Sequence, residues 1–255
     1  MPFDLVTIPC LSDNYAFLLR DTDSNEVALI DVPEAAPISA RLQELGWTLT
    51  EIWLTHHHPD HIQGIPELIK DHPARIIGAK ADTHRLPDLE QAVIDGETFK
   101  FGDHDVQVMD VSGHTVGHIA FYVPDAQTVF TADSLMALGC GRLFEGTPAQ
   151  MWDSMQKLMK LPGDTTVCSG HEYTQSNAKF ALTVDPENSA LISRARDIDQ
   201  ARANGEPTVP SKLSLELETN PFLRPANTGI RSHLGMENAT DTEVFAEIRA
   251  RKDSF

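Results

Sequence analysis

The sequence predicts an α/β domain followed by a helical one. Three observations carry this expectation. Short β-branched and aromatic runs, separated by turn residues, recur through the first half of the chain. Four of these runs end at a His or an Asp. After Tyr173 the apolar spacing becomes helical, with Gly205-Glu206-Pro207, Pro210 and Asn220-Pro221 marking loops. The 255 residues are enough for one large or two modest domains, at roughly 100–200 residues each. That length buries a core without disulfide staples.

Taken in order, Phe3–Ile8, Tyr15–Arg20 and Glu26–Asp31 read as strands, split by the turn residues Ser12-Asp13-Asn14 and Asp21 to Asn25. Ala36–Leu45 has helical spacing and stops at Gly46, a C-terminal signal. Glu51–Thr55 is an apolar strand that runs into a histidine cluster. Further strand-like runs are Arg75–Ala79, Asp105–Val111, Ile119–Val123, Thr128–Thr131 and Thr166–Ser169. Pro148–Met159 reads as a helix opened by proline, and Asn177–Val184, Ser189–Ala203 and Asp241–Arg251 read as helices. No internal repeat or low-complexity tract is present.

The net charge is −18, and no Lys/Arg run interrupts it. Nucleic acid and anionic membranes are therefore excluded as expected partners. The first fifteen residues lack a basic segment, and Thr7 and Pro9 break their apolar stretch, so they do not read as a signal peptide. No 18-residue apolar run occurs, so no transmembrane helix is expected. The three cysteines, Cys10, Cys140 and Cys168, are odd in number and widely spaced. They read as free, buried thiols in a reducing compartment. A soluble, cytoplasmic monomer is the expectation.

Chemistry concentrates at Thr55-His56-His57-His58-Pro59-Asp60-His61, where four of the 11 histidines fall within six positions. In extended chain His56 and His58 point to one side. A turn at Pro59 then brings Asp60 and His61 round to face the same volume. Imidazole suits Zn and Fe, and carboxylate adds an acceptable oxygen ligand. Alone, such a run also reads as a solvated polar loop. Three later strand ends add to it: Ser112-Gly113-His114-Thr115-Val116-Gly117-His118, Thr131-Ala132-Asp133 and Ser169-Gly170-His171-Glu172. Singly, His114, Asp133 and His171 are ordinary turn or capping residues. Jointly, four strand ends that each deliver His or Asp point to a metal site on a rigid sheet. His72, His84, His104 and His233 have no such context and read as surface or loop residues.

These residues resemble the metallo-β-lactamase superfamily and, within it, the glyoxalase II (hydroxyacylglutathione hydrolase) family. The THHHPDH run, GHTVGH and the Asp133 strand end are shared across the superfamily. Gly170-His171-Glu172-Tyr173-Thr174, Asn220-Pro221-Phe222-Leu223-Arg224 and the terminal Arg249-x-x-Lys252-Asp253 are narrower. The resemblance implies a four-layer αββα sandwich over residues 1–173 and a helical substrate-binding domain over 174–255. It implies two divalent ions, with Zn the expected metal and Fe or Mn also suited to these ligands. His56, His58 and His114 would hold one ion. Asp60, His61 and His171 would hold the other, and Asp133 would bridge them, with Asp60 and Asp133 as the catalytic carboxylates. Such a site sums to about +1 once a bridging hydroxide is counted, so an anionic substrate is drawn in despite the acidic surface. His57 and His118 read equally as residues that orient ligands and as ordinary hydrogen-bonded histidines.

The implied reaction is hydrolysis of a glutathione thioester, S-D-lactoylglutathione, by attack of the bridging hydroxide on the thioester carbonyl. On their own, Arg249 and Lys252 are cations near a helix end, three apart on one face. The resemblance implies that they hold the glycine carboxylate of glutathione and that Tyr173 contacts the same moiety. Arg142 and Phe144 stand where the family commonly has Lys and an aromatic that is often Tyr. Arg142 keeps the cation with a different donor geometry, and Phe144 lacks a hydroxyl. Ser112 stands where Pro is common, which bears on turn stiffness. Competing readings are an iron-dependent glutathione persulfide dioxygenase, a hydrolase of lactones, β-lactams or RNA, and a non-catalytic metal-binding homologue. The helical tail with R-x-x-K-D favours the thioesterase.

Overall fold

The computed structural model of the chain describes residues 2–255. It divides into two compact units, Met1–Asp110 with Gly117–Thr131, and Val111–Val116 with Ala132–Phe255.

The first unit holds strands β1 (Phe3–Cys10), β2 (Asn14–Asp21) and β3 (Val27–Ile30), helix α1 (Ala35–Leu45) and strand β4 (Glu51–Trp53). Helices α2 (Pro59–Ile62) and α3 (Ile65–Asp71) and strands β5 (Arg75–Ala79) and β6 (Gln91–Val93) follow. These six strands form one sheet in chain order, antiparallel through β3 and parallel from β3 to β6. Strands β7 (Thr98–Phe101), β8 (His104–Asp110), β9 (Ile119–Val123) and β10 (Thr128–Ala132) form an antiparallel meander.

The pleat explains both faces of the first sheet. Leu18, Leu29, Ile52 and Ile76 point one way and pack with Ile38 and Leu42 of α1 and Ile65 and Leu68 of α3. On the other face, Trp53 lies edge-on to Phe99 and Phe101, with ring centroids 5.5 and 5.3 Å away, and also meets Phe121 and Phe130. Its indole N–H donates to buried Glu51 at 2.7 Å, and burial raises that carboxyl above the usual range. Strand β4 is thus anchored through Trp53 and Glu51 just before the chain enters the histidine cluster.

The second unit opens with the two-residue strands β11 (Leu135–Met136) and β12 (Gly139–Cys140), which pair as a tight hairpin. Helix α4 (Pro148–Leu158) follows, capped reciprocally by Thr147 and Gln150 with proline in the first turn. Strand β13 (Thr166–Ser169) pairs with β14 (Ser211–Lys212), which lies beyond helices α5 (Thr174–Val184) and α6 (Ser189–Ala203). Helices α7 (Leu213–Thr219), α8 (Thr228–Leu234) and α9 (Asp241–Ser254) complete the chain.

The expected strands and long helices form, with ends moved by one to three residues. Among the described residues, nine strands and helices go beyond those expected, all of them short: α2, α3, β6, β7, β11, β12, β14, α7 and α8. Pro59 starts a helical turn instead of a simple bend. All three cysteines are free and buried. Among the described residues no helix is long and apolar enough to cross a membrane.

Candidate metal centre

In the first unit the centre begins with Asp31, which sits at φ +58° just after β3. Its carboxylate accepts from the Thr55 backbone N–H (2.9 Å) and hydroxyl (2.7 Å), and it lies 2.8 Å from His61 Nδ1. The Nδ1 proton of His61 is thereby committed, which leaves its Nε2 as the lone-pair nitrogen. Thr55 Oγ1 lies 3.0 Å from His56 Nδ1, and His56 Nε2 lies 3.2 Å from His58 Nδ1. Two imidazole nitrogens so close in a half-buried loop are aimed at one place. Asp31, His56 and His61 form a buried group of potential donors.

Asp60 is held by Asn14, whose amide donates to both its carboxylate (3.0 Å) and its backbone carbonyl (3.1 Å). Asn14 is buried, while the Asp60 side chain keeps 40% of its surface. His57 Nδ1 pairs with Asp82 at 2.9 Å, and Asp82 is itself buried against Arg85. His118 is fully buried and stacks on His56, with centroids 4.5 Å apart and planes 12° apart. Both doubtful histidines thus lie in the packing around the cluster.

In the second unit Asp133 is the focus. Its Oδ2 lies 3.3 Å from His114 Nε2 and 3.3 Å from His171 Nε2. All three residues are at most 5% exposed. Ala132, just before it, takes φ +41°, and its carbonyl accepts from the Gly170 N–H at 3.0 Å. A strained turn of this kind costs on the order of 1–3 kcal/mol and fixes the direction of the next side chain. His114 Nδ1 lies 2.7 Å from the backbone carbonyl of Arg142, so its Nε2 is the nitrogen that faces Asp133. Two glycines are needed for the fit. A Cβ on Gly141 would lie 1.9 Å from the Asp133 carbonyl, and one on Gly113 (φ +151°) 2.7 Å from Met151 Cβ.

The expected substrate-handling residues also lie in the second unit. Tyr173 stacks on His171 at 4.6 Å, and Phe144, 61% exposed, lies 5.3 Å from His114. Arg249 is buried; it donates to the Cys140 carbonyl (2.8 Å) and to Asp253 (3.0 Å). Arg142 Nε reaches the same Asp253 oxygen at 3.3 Å. Lys252 is only weakly bonded, 3.4 Å from Ser176 Oγ.

The superfamily model described as "Metallo-beta-lactamase superfamily" matches residues 12–171, and the one described as "Hydroxyacylglutathione hydrolase C-terminus" matches 172–255. A hydroxyacylglutathione hydrolase from Ruegeria pomeroyi is 64% identical over 255 residues, covering all of both chains. One from Roseobacter denitrificans is 63% identical, again over the whole of both. The chain belongs to the hydroxyacylglutathione hydrolase family. Among solved structures it is similar in fold to ETHE1 from Myxococcus xanthus (TM-score 0.65, 24% identity, 98% of this chain and 90% of that one). The BLEG-1 B3 metallo-β-lactamase gives a TM-score of 0.68 at 20% identity, over 87% of this chain and all of that one. The fold class expected from the sequence, an α/β metallo-β-lactamase sandwich with a C-terminal helical region, is the one found.

For a hydroxyacylglutathione hydrolase, three residues around the centre go beyond those the sequence singled out. Asp31, Asn14 and Asp82 act on partners 24 to 46 residues away, and no local motif marks them. A weak cue existed only for Asp31, which ends an apolar strand as Asp133 does. The narrow motif Asn220-Pro221-Phe222 proves to be structural. The Asn220 amide donates to the Met136 (3.1 Å) and Gly139 (3.0 Å) carbonyls and so clamps the β11–β12 hairpin.

Proposed function

We propose that this chain hydrolyses S-(2-hydroxyacyl)glutathione thioesters, S-D-lactoylglutathione first among them, to D-lactate and glutathione in methylglyoxal detoxification. The observation that carries the reading is Asp133, whose single oxygen stands 3.3 Å from two imidazole Nε2 atoms. The donor chemistry fits divalent metal. His56 and His58 with His114, and Asp60 and His61 with His171, are the two donor sets that the family resemblance implies. We assign one ion to each, most often Zn, with Fe or Mn as substitutes, and Asp133 as the shared ligand. When bound, such ions lower the pKa of a shared water and polarise a carbonyl.

The chain's own residues do the rest. Asp31 and the Arg142 carbonyl each take an Nδ1 proton, so His61 and His114 present Nε2. Asn14 fixes the Asp60 carboxylate, which together with Asp133 supplies the site's negative charge. The leaving thiolate has a conjugate-acid pKa of about 8.5, so no strong general acid is needed. Residues 1–173 carry the chemistry and 174–255 the glutathione. Lys252 and Arg249 take its glycine carboxylate. Tyr173, Arg142 and Phe144 line the same approach. The three free thiols support a cytoplasmic setting, and the chain is read as a monomer.

The test is a thioester assay with metal analysis on the same sample. Thiol release from S-lactoylglutathione should stop on chelation and return with Zn or Fe. A metal-filled protein that releases no thiol would overturn the substrate, and oxygen uptake with glutathione persulfide would then be measured.

A further inference from the structure

Phe255 is 63% exposed, unusual for so large an apolar ring, and its position beside Lys252 gives it a task. The Lys252 ammonium lies 5.2 Å from the centroid of Phe255 and 5.3 Å from that of Phe180. The two rings meet edge-to-face, with centroids 5.5 Å apart. Phe180 is buried in α5 and stacks on Phe222, over which the Arg249 guanidinium lies at 5.1 Å. Two cations of one helix face are thus seated on one row of aromatic rings. Asp253, next to it in the chain, is already bonded by Arg249 and Arg142. The approach of Lys252 to Ser176 is long, 3.5 Å to the carbonyl and 3.4 Å to the hydroxyl. The two ring faces thus supplement these hydrogen bonds in holding the ammonium. Burial first, and Arg249 second, also lower its pKa from the ordinary lysine value.

We propose that Phe255 is a positioning residue for substrate binding: with Phe180 it clamps the Lys252 ammonium where the glycine carboxylate of glutathione arrives. This rests on the reading of Lys252 given above. The clamp limits a four-carbon side chain to one placement before substrate binds, so less rotamer freedom is lost on binding.

The experiment compares S-lactoylglutathione with its glycine-amide analogue on the metal-loaded full chain. Phe255→Ala should raise KM for the carboxylate substrate about fivefold, with kcat within about twofold. Phe255→Tyr, which keeps the ring face, should restore KM, whereas Phe255→Leu, which keeps only bulk, should not. With the amide, wild type and Phe255→Ala should have equal KM. If Lys252→Ala raises KM but Phe255→Ala does not, the clamp is wrong and the Lys252 reading stands. If Lys252→Ala leaves KM unchanged, that reading itself fails. Equal losses on both substrates, or rescue by Leu, would reduce Phe255 to a packing role and overturn the proposal.

Discussion

At the scale of single residues, Asp31 orders two partners that lie 24 and 30 residues along the chain. It is buried, left-handed, and bonded to both Thr55 and His61. Asn tolerates a positive φ, so Asp31→Asn should fold. Its amide has one acceptor oxygen where the carboxylate uses two, so either the Thr55 N–H or the His61 Nδ1–H meets an NH2 group, and the His61 tautomer is then no longer fixed. The expected result is a metal content lowered by about tenfold in affinity, measured by metal analysis after limited chelation. Full metal occupancy would remove Asp31 from that role. Lys252 makes a second prediction. Its pKa is held low by burial first and by Arg249 second. The charged form is the one that binds a carboxylate, so binding is complete below that pKa and lost as pH rises through it. Inhibition by a non-hydrolysable S-alkylglutathione should weaken at a pH below the ordinary lysine value of about 10.4. Lys252→Arg should flatten that profile.

At the scale of elements, the strands were readable because β-branched runs alternate against turn residues, and the pleat then sorts Trp53 from Ile52. Four-residue α2 and seven-residue α3, α7 and α8 are too short for a helical period to emerge. The β11–β12 hairpin has two residues per strand, and its clamps arrive from far away. Asn177 donates to the Ala137 carbonyl at 3.0 Å, Asn220 holds both strands, and Glu216 accepts from the Leu138 N–H at 2.8 Å. This hairpin delivers Gly141 against Asp133, so Gly141→Ala should destabilise the fold by more than about 3 kcal/mol. Chemical denaturation would measure it. Gly205, also left-handed but with open space around it, should lose only about 1 kcal/mol as Ala. Similar losses at the two sites would mean that the hairpin yields.

At the scale of the whole molecule, the candidate ligands were visible because four strand ends each lead into a His or an Asp within a few residues. Their supports were not, since Asn14, Asp31 and Asp82 act only once the chain has closed on itself. The thiols report on that closure. Burial pushes Cys10 up to about 12 and Cys140 to about 11, and raises Cys168 as well. The thiolate is the reactive form, so at pH 8 a disulfide reagent should find none of the three in the native protein. All three should react on denaturation. Rapid labelling of one in the native state would show that its surroundings open.

The bond from His114 to residue 142 has a consequence of its own. The acceptor is a main-chain oxygen, which no substitution at that position deletes, while the Arg142 side chain points instead to Asp253. One residue thus holds two separable duties, with the histidine's orientation written into the backbone and the anion contact into the side chain. Position 142 can be redesigned, to Lys or to Gln, to alter the contact with Asp253 without disturbing how His114 is turned.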